Sequence, residues 1–300
     1  MLIQKHFYKT KQIFIYVNMR INSLFLAILF SLALVQANIR TVALKTEGLV
    51  KPEGVDMPMP RLSWQLKADN QSNVLQKAYR IIVASSPQLL QANKGNVWDS
   101  GKTKSDVSLW IPFAGTELKS SNTYYWKVKV WTNKGETEWS EPTHWSMGLL
   151  NEIEWKAQWI GLDRAMPWDS ETQWSRLSAR YLRKEFEAKK EIKNAMVHVS
   201  GLGLYELFIN GQRIGDQVLA PAPTDYRKSI LYNTYNVTET LKKGQNAVGV
   251  ALGNGRYYTM RQNYKPYKIP TFGYPKLRLH LMVEYTDGSK ELIATNNLVS

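Results

Sequence analysis

Apolar and polar residues alternate with a period of two along much of this chain, and turn residues break the alternation at short intervals. The clearest case is Thr123 to Trp131, where Tyr124, Trp126, Val128 and Val130 fall on one face and Tyr125, Lys127, Lys129 and Trp131 on the other. Pro60 to Trp64, Ala78 to Ala84 and Val97 to Gly101 predict further short strands, and Trp139-Ser140-Glu141-Pro142 enters the last one of this group. After Asn151 to Trp155 the pattern resumes. Ala179 to Phe186, Ala195 to Ser200, Tyr205 to Ile209 and Gln212 to Asp216 predict strands, as do Lys276 to Tyr285 and Lys290 to Ala294. Asn210-Gly211 favours a tight hairpin because both residues tolerate positive φ. Asp163 to Ser178 is polar and irregular, a loop. Gly201-Leu202-Gly203 and Gly253-Asn254-Gly255 are expected as turns where a side chain would clash, not as phosphate loops, since neither opens a helix. Helix-period patterns are scarce and no internal repeat is found. The pattern predicts an all-β chain of two sandwiches, residues 38–150 and 155–300.

The first 37 residues stand outside this pattern. Leu24 to Val35 is an apolar run preceded by Lys5, Lys9, Lys11 and Arg20, with no acid before it. Val35-Gln36-Ala37 fits a cleavage site, so residues 1–37 are expected to be a signal peptide and the mature chain to begin at Asn38. Met19-Arg20 and the run already suffice, which makes Met19 the expected true start. The run is too short for an ordinary bilayer span. With no cysteine anywhere, there is neither a disulfide framework nor a lipidation cysteine after the leader. The expected location is periplasmic or extracellular, without a stable membrane anchor.

Charge adds less. Removing four basic residues and no acid lowers the net charge from +14 to +10, and the remaining cations are dispersed. They are expected to form a solvated surface, with attraction to acidic polysaccharide as the sharper possibility. Nucleic acid is not expected as a partner, because no binding motif accompanies the charge. The 11 Trp and 16 Tyr suit sandwich cores as well as sugar stacking, and Trp110 and Trp131 are the candidates for direct sugar contact in the first domain.

Catalytic chemistry is hard to find. There is no thiol nucleophile. His6, His144, His198 and His280 are scattered, no spacing suggests a metal site, and no cofactor is expected. Glu206, Asp216 and Asp225 lie in the motif-rich stretch but suit turns and surfaces better than an acid–base pair. Asp225, Tyr226, Asn254, Arg256 and Tyr257 combine aromatic faces with hydrogen-bonding groups. That mixture suits either carbohydrate binding or packing against another domain.

The Tyr-x-Trp-x-Val-x-Val strand and the Trp-Ser-x-Pro entry make the first domain resemble a fibronectin type III-like or Ig-like β-sandwich. The strings SGLGLYELFINGQRIGD and LAPAPTDYRKSILYNTYNVTETLKKGQNAVGVALGNGRYY are similar to the N-terminal accessory domain of bacterial α-L-rhamnosidases, glycoside hydrolase family 78. Asn236-Val237-Thr238, Leu241 and Gly244-Gln245-Asn246 give a broader likeness to galactose-binding-like β-jelly rolls. The resemblance covers residues 41 to 300. It implies a non-catalytic part of an enzyme that hydrolyses terminal α-L-rhamnose from glycans or glycosides by inversion. The partners it implies are a rhamnose-containing substrate and a catalytic (α/α)6 barrel, which is not expected within residues 1–300. Ala294 to Ser300 stands where relatives carry an acidic residue and Ser-Trp and continue, so the jelly roll is expected to be incomplete. The other function class is a free-standing carbohydrate-binding or surface-interaction protein without catalysis.

Overall fold

The computed structural model describes residues 39–169, 176–258 and 272–296. The expected signal peptide lies outside the described residues. Among the described residues no helix is long and apolar enough to cross a membrane.

The N-terminal domain packs two antiparallel sheets. One holds β1 (Ile39–Thr46), β2 (Arg61–Ala68) and β6 (Ile111–Pro112), in the order β1-β2-β6. The other is built on β3 (Gln76–Ala84) and β7 (Thr123–Thr132), with β4 (Trp98–Asp99), β5 (Thr103–Lys104), β8 (Gly135–Glu136) and β9 (Thr143–Ser146) at its margins. The period-two face of β7 turns inward as expected: Trp126, Val128 and Val130 are fully buried against Trp64, Ile81 and Trp145. The Trp64 ring meets Tyr79 edge-on at 5.1 Å, and its indole N–H donates to Gln76, so the polar edge of a buried ring is satisfied. One short helix, α1 (Pro87–Gln91), lies over the outer face of β3 and buries Leu90 against Ile82 and Ala84. Ser86 caps it by accepting from the Leu89 N–H.

The second domain is also a sandwich. Strands β10 (Arg180–Ala188), β15 (Gly244–Gly253), β12 (Leu204–Ile209) and β13 (Gln212–Ile214) form one sheet in the order β10-β15-β12-β13. Strands β14 (Asn233–Asn236), β11 (Ile192–Leu202), β16 (Lys276–Tyr285) and β17 (Lys290–Ala294) form the other, in the order β14-β11-β16-β17. Leu207, Ile209, Val250 and Leu252 of the first meet Val197, Val199, Leu279 and Leu281 of the second. Asn210 and Gly211 both take positive φ, which gives the tight β12–β13 hairpin the dipeptide predicts.

The Gly201-Leu202-Gly203 turn needs correction. Gly201 and Leu202 continue β11, and the bend is confined to Gly203. There φ is +135° and an added Cβ would stand 2.3 Å from the Gly253 carbonyl oxygen, so the expected clash holds at that residue.

Strand β11 departs from alternation. Ala195 to Leu202 is buried on both faces. Its inner residues fill the sandwich, while the outer ones, His198 among them, are covered by the first domain and the linker. His198 pairs in register with His280 on β16. The Ser121 hydroxyl of the first domain shares a 2.8 Å hydrogen bond with His198 Nε2, and Thr234 shares one of 2.9 Å with Nδ1. The Trp155 ring from the linker closes edge-on over His198, His280 and Tyr232, and the Arg278 guanidinium lies 4.6 Å from its centre. The Tyr232 hydroxyl accepts from the Leu149 N–H, and Glu53 accepts from the Asn236 N–H. The two sandwiches are thus joined through a buried, partly polar seam.

Candidate functional site

The loop from Pro221 to Leu231 and the segments on either side of residues 259–271 build the most promising surface site. Asp225 opens a tight turn: its carbonyl accepts from the Lys228 and Ser229 N–H groups, and its carboxylate accepts from the Arg227 N–H at 3.2 Å. That turn presents Tyr226. Gly255 at φ +51° bends the chain after β15, and the Phe272 N–H donates to the Tyr257 carbonyl, which ties the two segments together.

Three rings converge as a result. Tyr226 meets Tyr257 and Phe272 edge-on, each at 5.3 Å, while Tyr257 stacks on Phe272 at 5.8 Å. The Arg227 guanidinium lies 5.9 Å from the Phe272 ring. Beside the rings, Pro223, Thr224, Asp225, Arg227, Arg256 and Phe272 line a cleft of about 440 Å³. Burial raises the Tyr226 phenol above its usual pKa while the neighbouring Arg256 charge opposes that shift. The phenol therefore stays protonated at neutral pH, a donor beside cationic groups. Rings, guanidinium groups and a carboxylate around one concavity can hold the apolar face and the hydroxyls of a sugar, or receive a loop from another domain.

Four of the five predicted residues therefore come together: Asp225, Tyr226, Arg256 and Tyr257. Asn254 is nearby in sequence but differently employed. Its side-chain amide donates to the Leu177 carbonyl at 3.0 Å, anchoring the segment before β10. Phe272 and Arg227 belong to the site and were not singled out from sequence. Nothing in sequence marks Phe272, which reaches the site across the fold, whereas Arg227 adjoins the predicted Asp225-Tyr226 pair.

The other acids of this stretch are placed differently. Glu206 is exposed on β12 and faces Arg213 at 3.6 Å across the hairpin. Asp216 lines a separate interdomain cleft with Glu53, Arg213 and Tyr235, about 620 Å³ in volume. Glu53 is held above its ordinary carboxylate pKa by burial, partly countered by the Asn236 N–H. Among the described residues no group of three or more His, Cys, Asp or Glu side chains could hold a metal ion.

Fold and site together define a pair of β-sandwich domains with an aromatic, charged cleft on the second. Comparison with known proteins supplies the family. Residues 190–298 match the family described as "Alpha-L-rhamnosidase N-terminal domain", and residues 41–151 match "Rha78A-like, N-terminal immunoglobulin domain". The chain belongs to the α-L-rhamnosidase family, as its N-terminal domain pair. An α-L-rhamnosidase of Formosa agariphila is 37% identical over 257 residues, which cover 80% of this chain and 27% of that protein. The solved α-L-rhamnosidase from Dictyoglumus thermophilum is 39% identical with a TM-score of 0.74, covering 86% of this chain and 29% of that one. The enzyme from Aspergillus terreus is 29% identical with a TM-score of 0.75 and the same coverage. The chain thus spans under a third of the length of these relatives.

Proposed function

We propose that this chain is the non-catalytic N-terminal region of an exported enzyme that removes terminal α-L-rhamnose from glycans or glycosides by inversion. The Tyr226–Tyr257–Phe272 cleft is the face it turns toward the catalytic module and the bound rhamnoside. The coverage carries this reading: similarity fills most of this chain but under a third of each relative. Inversion needs an acid and a base about 6.5–9.5 Å apart around the scissile bond. The predicted acids serve other ends here, Glu206 in a hairpin ion pair and Asp225 in a turn. Export rests on the basic segment, apolar run and Val35-Gln36-Ala37 of the leader.

The test is incubation of the purified chain with an aryl α-L-rhamnoside. No turnover is expected. Turnover that vanishes on Glu53→Gln, Glu206→Ala or Asp225→Ala would show that the active site lies in this chain. In a longer protein that includes the following module, Tyr257→Ala is expected to lower rhamnosidase activity several-fold.

A further inference from the structure

The outer face of the six-stranded sheet in the first domain carries side chains that a rhamnosidase accessory role leaves without a task. Tyr125, Lys127, Lys129 and Trp131 of β7 point there, because residues of the other parity fill the core. The register places Ile82 beside Lys127 and Arg80 beside Lys129 on β3, and His144 beside Tyr125 on β9. Trp139 lies against Lys127 at 5.2 Å and Arg80 at 5.8 Å, while Trp131 lies against Lys102 at 4.3 Å and Lys129 at 5.6 Å. Cations and rings thus line a strip about 20 Å long, at roughly 3.3 Å per strand residue.

The cations of this strip differ in one decisive respect. Arg80 is forked onto Asp99 at 3.0 and 2.7 Å, and Lys129 reaches Glu136 at 2.9 Å. Lys127 is only 8% exposed, yet among the described residues no carboxylate lies within 4.0 Å and no acceptor meets its ammonium. Its remaining polar contact is the Trp139 ring. The Tyr125 hydroxyl likewise has no protein partner among the described residues.

Over Lys127 opens a groove of about 490 Å³, lined also by Lys51, Tyr125, Ser140, Glu141 and His144. Desolvation lowers the Lys127 pKa; burial, then the Lys51 charge, lowers that of His144. The imidazole is therefore neutral near pH 7 and can both donate and accept. Glu141, the groove's acid, forms no ion pair with either lysine. A partly desolvated ammonium that opens onto the groove without a counter-charge is a ready partner for an arriving anion.

We propose that this groove is a subsite for an acidic saccharide, whose carboxylate or sulfate pairs with the Lys127 ammonium while its hydroxyls meet His144 and Tyr125. The part-exposed ring of Trp139, which packs beside the Lys127 ammonium at 5.2 Å, receives the C–H face of a neighbouring sugar. The site lies in the Ig-like domain, and its failure would leave the rhamnosidase reading intact.

The experiment uses the purified chain at 0.15 M salt and three probes: an oligogalacturonate, a sulfated galactan oligosaccharide and a neutral galactan oligosaccharide of equal length. Tryptophan fluorescence reads the binding. At least one acidic probe is expected to bind, and which one does so distinguishes carboxylate from sulfate; the neutral probe should bind about ten-fold more weakly or not at all. Lys127→Met should lose about ten-fold or more in affinity, whereas Lys67→Met, a surface lysine on β2, should stay within about two-fold. The proposal is overturned if neither acidic probe binds, if the neutral probe binds as well, or if the two lysine variants weaken binding equally. Should Lys127→Met fail to fold, NMR of the lysine side chains in the unaltered chain decides. The Lys127 ammonium must titrate at higher pH with the acidic probe bound, and an unchanged titration overturns the proposal.

Discussion

Replacing His280 with leucine is expected to make the protein markedly more acid-resistant. His280 is 2% exposed at the seam between the domains, and neither ring nitrogen has a hydrogen-bond partner among the described residues. Burial, with help from the Arg278 charge, lowers its pKa to about 4, partly opposed by Glu154. The unfolded chain returns the ring to 6.5. Because the folded pKa is the lower one, the unfolded state binds the extra proton between pH 6.5 and 4, and stability falls as pH falls through that window. At 1.36 kcal/mol per decade, the proton favours unfolding by about 2.5 kcal/mol at pH 4.5. His198, held down to about 3 by burial and by the His280 charge, contributes in the same direction over a wider window, from 6.5 down to 3, and does so in both proteins. The assay is urea unfolding of both proteins at pH 7 and at pH 4.5. At pH 7 the two should differ by no more than about 1 kcal/mol, since leucine removes two unsatisfied polar atoms while changing the shape. At pH 4.5 the difference should shift by about 2.5 kcal/mol in favour of His280→Leu. Carboxylates with depressed pKa values, such as Asp99, weaken both proteins alike and cancel in the comparison. If the two proteins lose stability in parallel between pH 7 and 4.5, His280 is not buried as a neutral ring at the seam.

Three glycines separate backbone strain from steric contact. Gly211→Ala has open space around its Cβ and φ +83°, so it should lose only about 1 kcal/mol. Gly203→Ala adds a 2.3 Å contact with the Gly253 carbonyl to its positive φ, and should lose about 3 kcal/mol, seen as a much larger fall in melting temperature. Gly54→Ala would drive a Cβ to 2.5 Å from the Thr234 hydroxyl across the domain seam at φ +76°. A loss of about 2 kcal/mol is expected, together with loosened protection of the His198 region in hydrogen exchange. Equal melting temperatures for the three variants would refute the contacts.

The strands were legible where one face meets solvent. Tyr124 to Trp131 alternates because its outer residues stay polar or half-exposed, and Asn210-Gly211 announces its hairpin by local backbone preference alone. β11 was harder, since Ala195 to Leu202 is buried on both sides and no longer alternates. His198 and His280 looked scattered because they lie far apart in sequence; only the antiparallel register of β11 and β16 brings them together. The same cause hid Phe272, which completes the aromatic site from a segment well beyond Tyr226 and Tyr257. Asn254 shows the converse. Its neighbours Arg256 and Tyr257 reach the site, but its amide is committed to Leu177.

The Tyr232 hydroxyl sits where any side chain at Gly148 would be, 2.3 Å from an added Cβ, while accepting from the neighbouring Leu149 N–H. Together with Ser121 on His198 and Glu53 on Asn236, it denies the two domains an independent hinge. The consequence is metric. The Lys127 groove and the Tyr226–Tyr257–Phe272 cleft stand at a fixed span, so if both proposed sites take saccharide the domain pair would act as a ruler: a polymer gripped at one mark would present to the other a segment set by its repeat length. Chains shorter than that span would gain nothing from the second mark, and longer ones would gain local concentration without any new contact.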